Sequence, residues 1–600
     1  GNEAKLGGAI YAQRNGSVPS TVTVTGGTIG GTTEDKANKA AGSVSDEGRG
    51  GAVFIKGAIV TLNGCTLEGN KAKNGGGVYM EGGNCTLNGS LKNNKTTELA
   101  SSYGGSIYLE NGTLTMKTGA EISGSEASVS GGGVYISARD GGTASFTMEG
   151  GTISDCKVSS SNNPVDGGGV CVEVAHGSTG TANFIMQGGS ITGCKAVSGG
   201  LSGSPSGGGV CVKNGATFNM TGGSITGCKA VINDNAGTPE SRGGGVYMEN
   251  STFNMSGSSS ITGCTAESSD SDISGSGSPS FYGGGVYAAG STATFTMKDS
   301  AVITPSSEVP SGMKRFNDVY LNSGAKITVA GSLTPPGGIA ARITPATYNT
   351  TTQVLTADTG VTLANETYKF AVTPKGSEKW TVGGNGRLKQ GRYTEVPYGQ
   401  LEAYLANNAS STEENYIEVT GITAADLKGS FASPPDPGPL GQKIKAADPK
   451  KVALKLPSGL SVTDMSACFS QCENLVSLEN FPSGVTDMRV CFYGCENLTT
   501  VPAIPVTVTN MMECFRYCRS LTTALNIPAG VYDMTRCFQY CEKLQSIKMN
   551  CSYGVNFNGA FSGCDALPNG GIQVPSTQLG TYKANAGTMG TTPDKFSAIP

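Results

Sequence analysis

Cys468-Phe469-Ser470-Gln471-Cys472-Glu473-Asn474-Leu475 opens a phrase that recurs at a fixed step of 23. The frame Cys-Phe-x-x-Cys-x-x-Leu returns at Cys491-Phe492…Cys495…Leu498, Cys514-Phe515…Cys518…Leu521 and Cys537-Phe538…Cys541…Leu544. A fifth copy, Ala560-Phe561…Cys564…Leu567, keeps the spacing and has alanine at the first cysteine position. Self-similarity at a constant short period is the mark of a stacked solenoid, in which each unit needs its neighbours to bury its apolar face.

The flanks complete the unit. Asp464, Asp487, Asn510, Asp533 and Asn556 stand just before Met or Phe, where a short side-chain acceptor opens a helical turn as an N-cap. Leu475, Leu498, Leu521 and Leu544 begin a short strand, with Leu478, Val501, Ala524 and Ile547 as the next inward residues. Pro482, Pro502, Pro505 and Pro528 limit those strands. The expectation for residues 457–600 is a leucine-rich-repeat horseshoe with short convex helices and a C-terminal tail. Residues 397–456 read helix then strand twice, through 400–407, 416–419, 440–447 and 452–456, and are expected to form its N-terminal cap.

The first half carries a different repeat. Gly-Gly-x-Val-Tyr or a close variant appears at Gly7-Gly8-Ala9-Ile10-Tyr11, Gly50-Gly51-Ala52-Val53-Phe54 and Gly75-Gly76-Gly77-Val78-Tyr79, and further copies run to Gly283-Gly284-Gly285-Val286-Tyr287. A second short strand follows each copy, as in Phe146-Thr147-Met148 and Phe218-Asn219-Met220, and a third of the type Gly-Ser-Ile-Thr-Gly-Cys follows that. Three strands per unit with glycine at the corners describe a right-handed parallel β-helix over residues 1–342. Polar insertions at 157–166, 195–206, 229–242 and 265–282 are expected on one edge. Residues 343–396 read as a β-rich connecting segment whose Trp380 packs the junction. The whole chain is therefore expected to be mainly β and solenoidal, a right-handed parallel β-helix followed by the horseshoe.

Asn70, Asn94, Ser125, Cys156, Cys194, Cys228 and Cys264 form a ladder on the third strand. Small polar side chains at such a corner bond backbone groups of the neighbouring coils. The cysteines allow a packed thiol column, or disulfides between coils such as Cys194 with Cys228 or Cys171 with Cys211. Metal binding is disfavoured, because zinc needs four converging ligands and a ladder spreads its thiols along an axis. In the second half the paired cysteines read as two thiol columns. Cys551 stands outside the register, as a free thiol or a partner of Cys564.

Composition narrows the function. Of 600 residues 91 are Gly, only 15% are charged, and the net charge is −4. No basic stripe is visible in the sequence, which argues against a nucleic-acid partner. No run of 18 apolar residues marks a transmembrane segment. The chain begins Gly1-Asn2-Glu3, without initiator Met or signal peptide, as in a mature or trimmed chain. No phosphate-binding loop, dinucleotide fingerprint, zinc protease motif or calcium nonapeptide occurs, and no cofactor, metal or catalytic residue is assigned. The nearest approach to an acid–base cluster is Asp140, Glu149, Asp155, Asp166, Glu173 and His176, where corner and loop positions favour solvated charge.

Two resemblances carry the functional expectation. Asp-Met-x-x-Cys-Phe-x-x-Cys-x-x-Leu, with Val-Thr-Asp-Met at 462–465 and 485–488, closely resembles the BspA-type (treponemal-type) leucine-rich repeat. Gly7-Gly8-Ala9-Ile10 is similar to the repeats of polymorphic membrane protein and adhesin passenger domains, whose companion Phe-x-x-Asn motif is not repeated here. The combination with residues 314–396 is similar to surface proteins of oral or gut spirochaetes. These resemblances imply a non-enzymatic extracellular protein of the bacterial surface that binds a host extracellular-matrix or cell-surface protein, or other bacteria. On a concave strand face the candidate binding residues are Ser477, Glu479, Thr500, Thr523, Ser546 and Lys548. Two alternatives stand beside this reading: a polysaccharide lyase or hydrolase on the β-helix, and a self-associating subunit of a surface filament or layer.

Overall fold

In the computed structural model the described residues are all except 1, 34, 42–46, 98–101, 162, 200–202, 234–237, 270–279, 307–313, 432, 523 and 600. They form two compact units, Gly1–Gln390 and Gly391–Pro600.

The first unit is a stack of parallel coils. The Gly-Gly-x-Val-Tyr strands, from Ile10–Gln13 through Val53–Lys56 and Val78–Glu81 onwards, build a 12-stranded parallel ladder that runs to Phe370–Val372. The coils therefore continue past residue 342, through Ala341–Pro345 and Leu355–Ala357. An antiparallel hairpin, Trp380–Val382 with Leu388–Gln390, follows. A second face is made by strands such as Thr143–Met148 and Thr181–Met186, which pair residue for residue. A third ladder holds the short strands after the Asn/Cys corner, such as Lys157–Ser160 and Lys195–Ser198. Parts of the insertions form a fourth ladder, from Val165–Asp166 to Ser280–Tyr282.

The glycine phrase has a steric cause. Its first glycine sits at positive φ, as at Gly207 with φ +67°. The second lies against the next coil: a Cβ at Gly208 would stand 2.3 Å from the Lys229 carbonyl carbon. Inside the coils, alternate residues of each strand stack into columns. Phe146, Phe184, Phe218, Phe253 and Phe295 stack at 4.7–5.1 Å between centroids.

The corner ladder works through donors to backbone carbonyls. Asn70 Nδ2 donates to the Ile29 carbonyl at 3.0 Å and Asn94 Nδ2 to the Leu67 carbonyl at 2.9 Å. Cys194, Cys228 and Cys264 point their thiols at the carbonyls of Ile153, Ile191 and Ile225 at 3.6–3.8 Å. A thiol thus replaces an amide in the same role. Asn38 and Asn317 extend the ladder at its ends. All 18 cysteines are free and buried, so neither the inter-coil disulfides nor a Cys551–Cys564 bridge is present.

The second unit begins with Thr394–Pro397, Asn415–Thr420, Val452–Lys455 and Leu475–Leu478 in one parallel ladder. The helices Leu401–Asn407 and Pro439–Lys445 connect the first strands. A second ladder joins Leu525–Ile527, Ile547–Met549, Ile572–Val574 and Phe596–Ala598. Between the two, prolines at 502 and 505 remove ladder donors, and among the described residues Thr500 bridges Ser477 alone.

Two expectations need correction. Ala524 is exposed, and Leu525 takes the inward position because this unit holds one residue more before its strand. The Cys-Phe segments are also not helices but runs of overlapping turns. Alternate amides reach the next unit, as from Ala467 to the Arg489 carbonyl and from Phe469 to the Cys491 carbonyl. Positive φ at Ala467, Val490, Glu513 and Arg536, and again at Gln471, Tyr517 and Tyr540, breaks helical continuity at two places per unit. The Asp column caps these turns: Asp464, Asp487, Asn510 and Asp533 each accept the amide two residues on, at 2.9–3.1 Å.

Within this unit Cys472 donates its thiol to the Gly441 carbonyl at 3.2 Å, and from the second copy on the second cysteine donates to a phenylalanine carbonyl of the preceding copy. Cys495 reaches Phe469 at 3.0 Å, Cys518 reaches Phe492 at 3.1 Å and Cys541 reaches Phe515 at 3.1 Å. Burial pushes these three thiols well above the usual range, which suppresses the reactive thiolate.

Candidate binding surface

The outward face of the first ladder of the second unit gathers aromatic and charged side chains that touch one another. Strand pairing dictates two parallel rows. Thr394 faces Ile417, so Tyr393 lies beside Tyr416. Tyr416 pairs with Ala453, Ala453 with Ser477, and Ser477 with Thr500. The neighbouring row runs Glu395, Glu418, Lys455 by the same register, and Glu479 follows beyond Leu478.

The first row stands two rings next to a floor of small side chains. Tyr393 and Tyr416 meet edge to face at 5.6 Å, and the Arg392 guanidinium lies 4.1 Å from the centroid of Tyr416. Lys455 pairs with Glu418 at 3.1 Å and sits 5.9 Å from the Tyr393 ring. Tyr393 donates its hydroxyl to Glu479 at 3.0 Å. Burial, and then that carboxylate, push the Tyr393 hydroxyl up to about 12. Each side chain is thus held by a neighbour, so little rotamer freedom remains to be lost on binding.

The sequence-derived candidates divide between two places. Ser477, Glu479 and Thr500 belong to this surface. Lys548 lies on the second ladder, between Asn526 and Gln573, and Ser546 immediately precedes its strand. Thr523 lies outside the described residues. Arg392, Tyr393, Tyr416 and Lys455 were not among the candidates. The available signal was the alternation Tyr416-Ile417-Glu418-Val419, which sets one polar face on a strand read only as part of a cap.

The acid–base candidates of the first unit are distributed over several positions. Glu149 pairs with Lys117 at 2.7 Å, and Asp155 sits at a corner with φ +52°. Glu173 accepts the Tyr135 hydroxyl, and burial raises its carboxyl. Asp166 pairs with Lys213. Asp140 and His176 line a cleft of about 490 Å³ with Glu110, Arg139, Ser178 and Thr179. Among the described residues no group of three or more His, Cys, Asp or Glu is placed to hold a metal ion. No described helix is long and apolar enough to cross a membrane.

Parallel strands joined by short turn segments at a 23-residue step define a leucine-rich-repeat module within the second unit. Residues 453–582 match the family model of the BspA type leucine rich repeat region, in six copies, so this stretch is a BspA-type leucine-rich-repeat region. No curated protein and no solved structure matches the chain. Leucine-rich repeats are interaction modules, since a solenoid exposes a long regular surface.

Proposed function

We propose that the protein is a non-enzymatic adhesin of the bacterial surface, and that its leucine-rich repeats hold a protein partner, host matrix or cell-surface protein, on the outward strand face. The contact residues are Arg392, Tyr393, Tyr416, Ser477, Glu479 and Thr500. One observation carries this reading: two tyrosine rings and an arginine, fixed by their neighbours, border the small residues Ala453, Ser477 and Thr500. Tyrosine and arginine are enriched among binding hot spots. Truncating such an anchor costs on the order of 2 kcal/mol of binding, or about thirtyfold in affinity.

The test is surface plasmon resonance of the full chain over immobilised fibronectin, laminin and type I collagen. Saturable binding to at least one, weakened tenfold or more by Tyr416→Ala, supports the assignment. Binding that Tyr416→Ala leaves unchanged contradicts the site, and absence of saturable binding to all three contradicts the class of partner.

A further inference from the structure

The outward row of the second ladder of the second unit differs in charge from that of the first. In Leu525–Ile527, Ile547–Met549, Ile572–Val574 and Phe596–Ala598 the first residue is buried and the second turns outward. Strand pairing sets Asn526, Lys548, Gln573 and Ser597 in one row, at about 4.8 Å per step. Lys548 is the one charged residue of the four strands, and none of them holds Asp or Glu.

The charge of Lys548 has no internal partner. Among the described residues it makes no ion pair and no side-chain hydrogen bond, although it is half-buried. On the first ladder, by contrast, Lys455 pairs with Glu418 at 3.1 Å. A lysine on an outer strand protects a sheet edge, but Ile547–Met549 is an inner strand with a neighbour on each side. The residues beside Lys548 are set as donors. Asn550 Nδ2 donates to Asn526 Oδ1 at 2.6 Å, which leaves the Nδ2 group of Asn526 as its unused end. Among the described residues the Gln573 amide makes no side-chain hydrogen bond. One ammonium thus stands between two amides, in a row that holds no carboxylate to meet them.

We infer that this row seats an acidic side chain of a protein partner, with its carboxylate on Lys548 between the amides of Asn526 and Gln573. The inference rests on the protein-binding role proposed above for the outward strand face, and it names the charge that the partner brings to the second ladder. One ammonium balances one carboxylate, whose two oxygens can accept from Lys548 Nζ and from an amide N–H together. A phosphate monoester carries about 1.5–2 negative charges at pH 7 and is matched by arginine forks, of which the row has none. Single-stranded nucleic acid is bound through rings on which bases stack, and none of the four outward residues is aromatic. The chain as a whole has a net charge of −4, so general attraction of polyanions does not supply the binding.

The test titrates the full chain into a fluorescein-labelled peptide of four Gly-Glu repeats, amidated at its C-terminus. Anisotropy is followed at about 20 mM NaCl, where screening is weak. The controls are the matching Gly-Gln peptide amide, a glycine octapeptide with a free C-terminal carboxylate, and a single-stranded DNA octamer. The expected result is saturable binding of the glutamate peptide, none of the glutamine peptide, and weaker binding of the other two. Lys548→Gln, with its thermal transition and circular dichroism unchanged, should bind at least fivefold more weakly, and Lys548→Arg should retain affinity to within about twofold. Should Lys548→Gln lose its fold, Gln573→Ala, expected to weaken binding by about twofold, serves instead. No binding of the glutamate peptide, equal or tighter binding of the glycine octapeptide or of DNA, or undiminished binding by the folded variant would overturn the assignment. Absence of binding to fibronectin, laminin and collagen, with the peptide still held at Lys548, would instead strike the class of partner proposed above and leave this site standing.

Discussion

Tyr393 donates its hydroxyl to the Glu479 carboxylate at 3.0 Å across 86 residues of sequence, tying the strand before the first helix of the repeat unit to the first Cys-Phe copy. The bond crosses the outward face of the ladder and holds one ring of the proposed binding surface. It also makes that ring a reporter of the fold.

The Tyr393 hydroxyl is pushed up to about 12, against an ordinary value near 10. Its folded-state value lies above its unfolded value, so its contribution is fully present below about pH 10 and is lost as pH rises from about 10 to 12. Urea unfolding of the full chain should show stability falling in that window. Tyr393→Phe should flatten part of the fall, and Glu479→Gln should lower the titration midpoint of Tyr393 in an ultraviolet difference spectrum. A midpoint that Glu479→Gln does not move would count against the bond.

The cysteines are expected to be silent. The native chain should show no reaction with a thiol reagent, and unfolding should release all 18 thiols. Cys518→Ala removes the thiol that reaches the Phe492 carbonyl and leaves a small void between copies. A loss of about 1–3 kcal/mol is expected by urea titration. A neutral effect would reduce the column to filler.

Two glycines separate close approach from backbone conformation. Gly208→Ala brings a Cβ to 2.3 Å of the Lys229 backbone, whereas Gly215→Ala meets nothing within 4 Å but sits at φ +79°. Gly208→Ala should therefore destabilise the first unit by about 3 kcal/mol or more, since neighbouring coils must separate. Gly215→Ala should cost only about 1–2 kcal/mol. Thermal unfolding followed by circular dichroism orders the two, and the reverse order would refute the packing of the glycine corner.

The repeats were the most legible part of the chain because each needs its residues at one spacing. Cys-Phe-x-x-Cys-x-x-Leu announces stacking, since Phe469, Phe492, Phe515 and Phe538 are each buried against the next copy. The local form of the segment was not legible: Asp464 caps an Asx turn as readily as a helix, and the positive φ at Ala467 and Gln471 follows from bonds to the next copy. The shift from Ala524 to Leu525 has the same origin, since either residue satisfies a short strand until its neighbour Ile547 sets the register. The Arg392–Tyr393–Tyr416 cluster is a product of pairing between the strands Thr394–Pro397 and Asn415–Thr420.

The most direct test of the proposed function is equilibrium binding of the full chain to fibronectin, laminin and type I collagen, compared with Arg392→Ala/Tyr416→Ala and with Lys157→Gln/Lys195→Gln. The predicted result is a loss of at least tenfold in affinity for the first double variant and no change for the second. Equal affinity of the wild-type chain and the Arg392/Tyr416 variant would contradict the placement of partner binding on the outward face of the repeats.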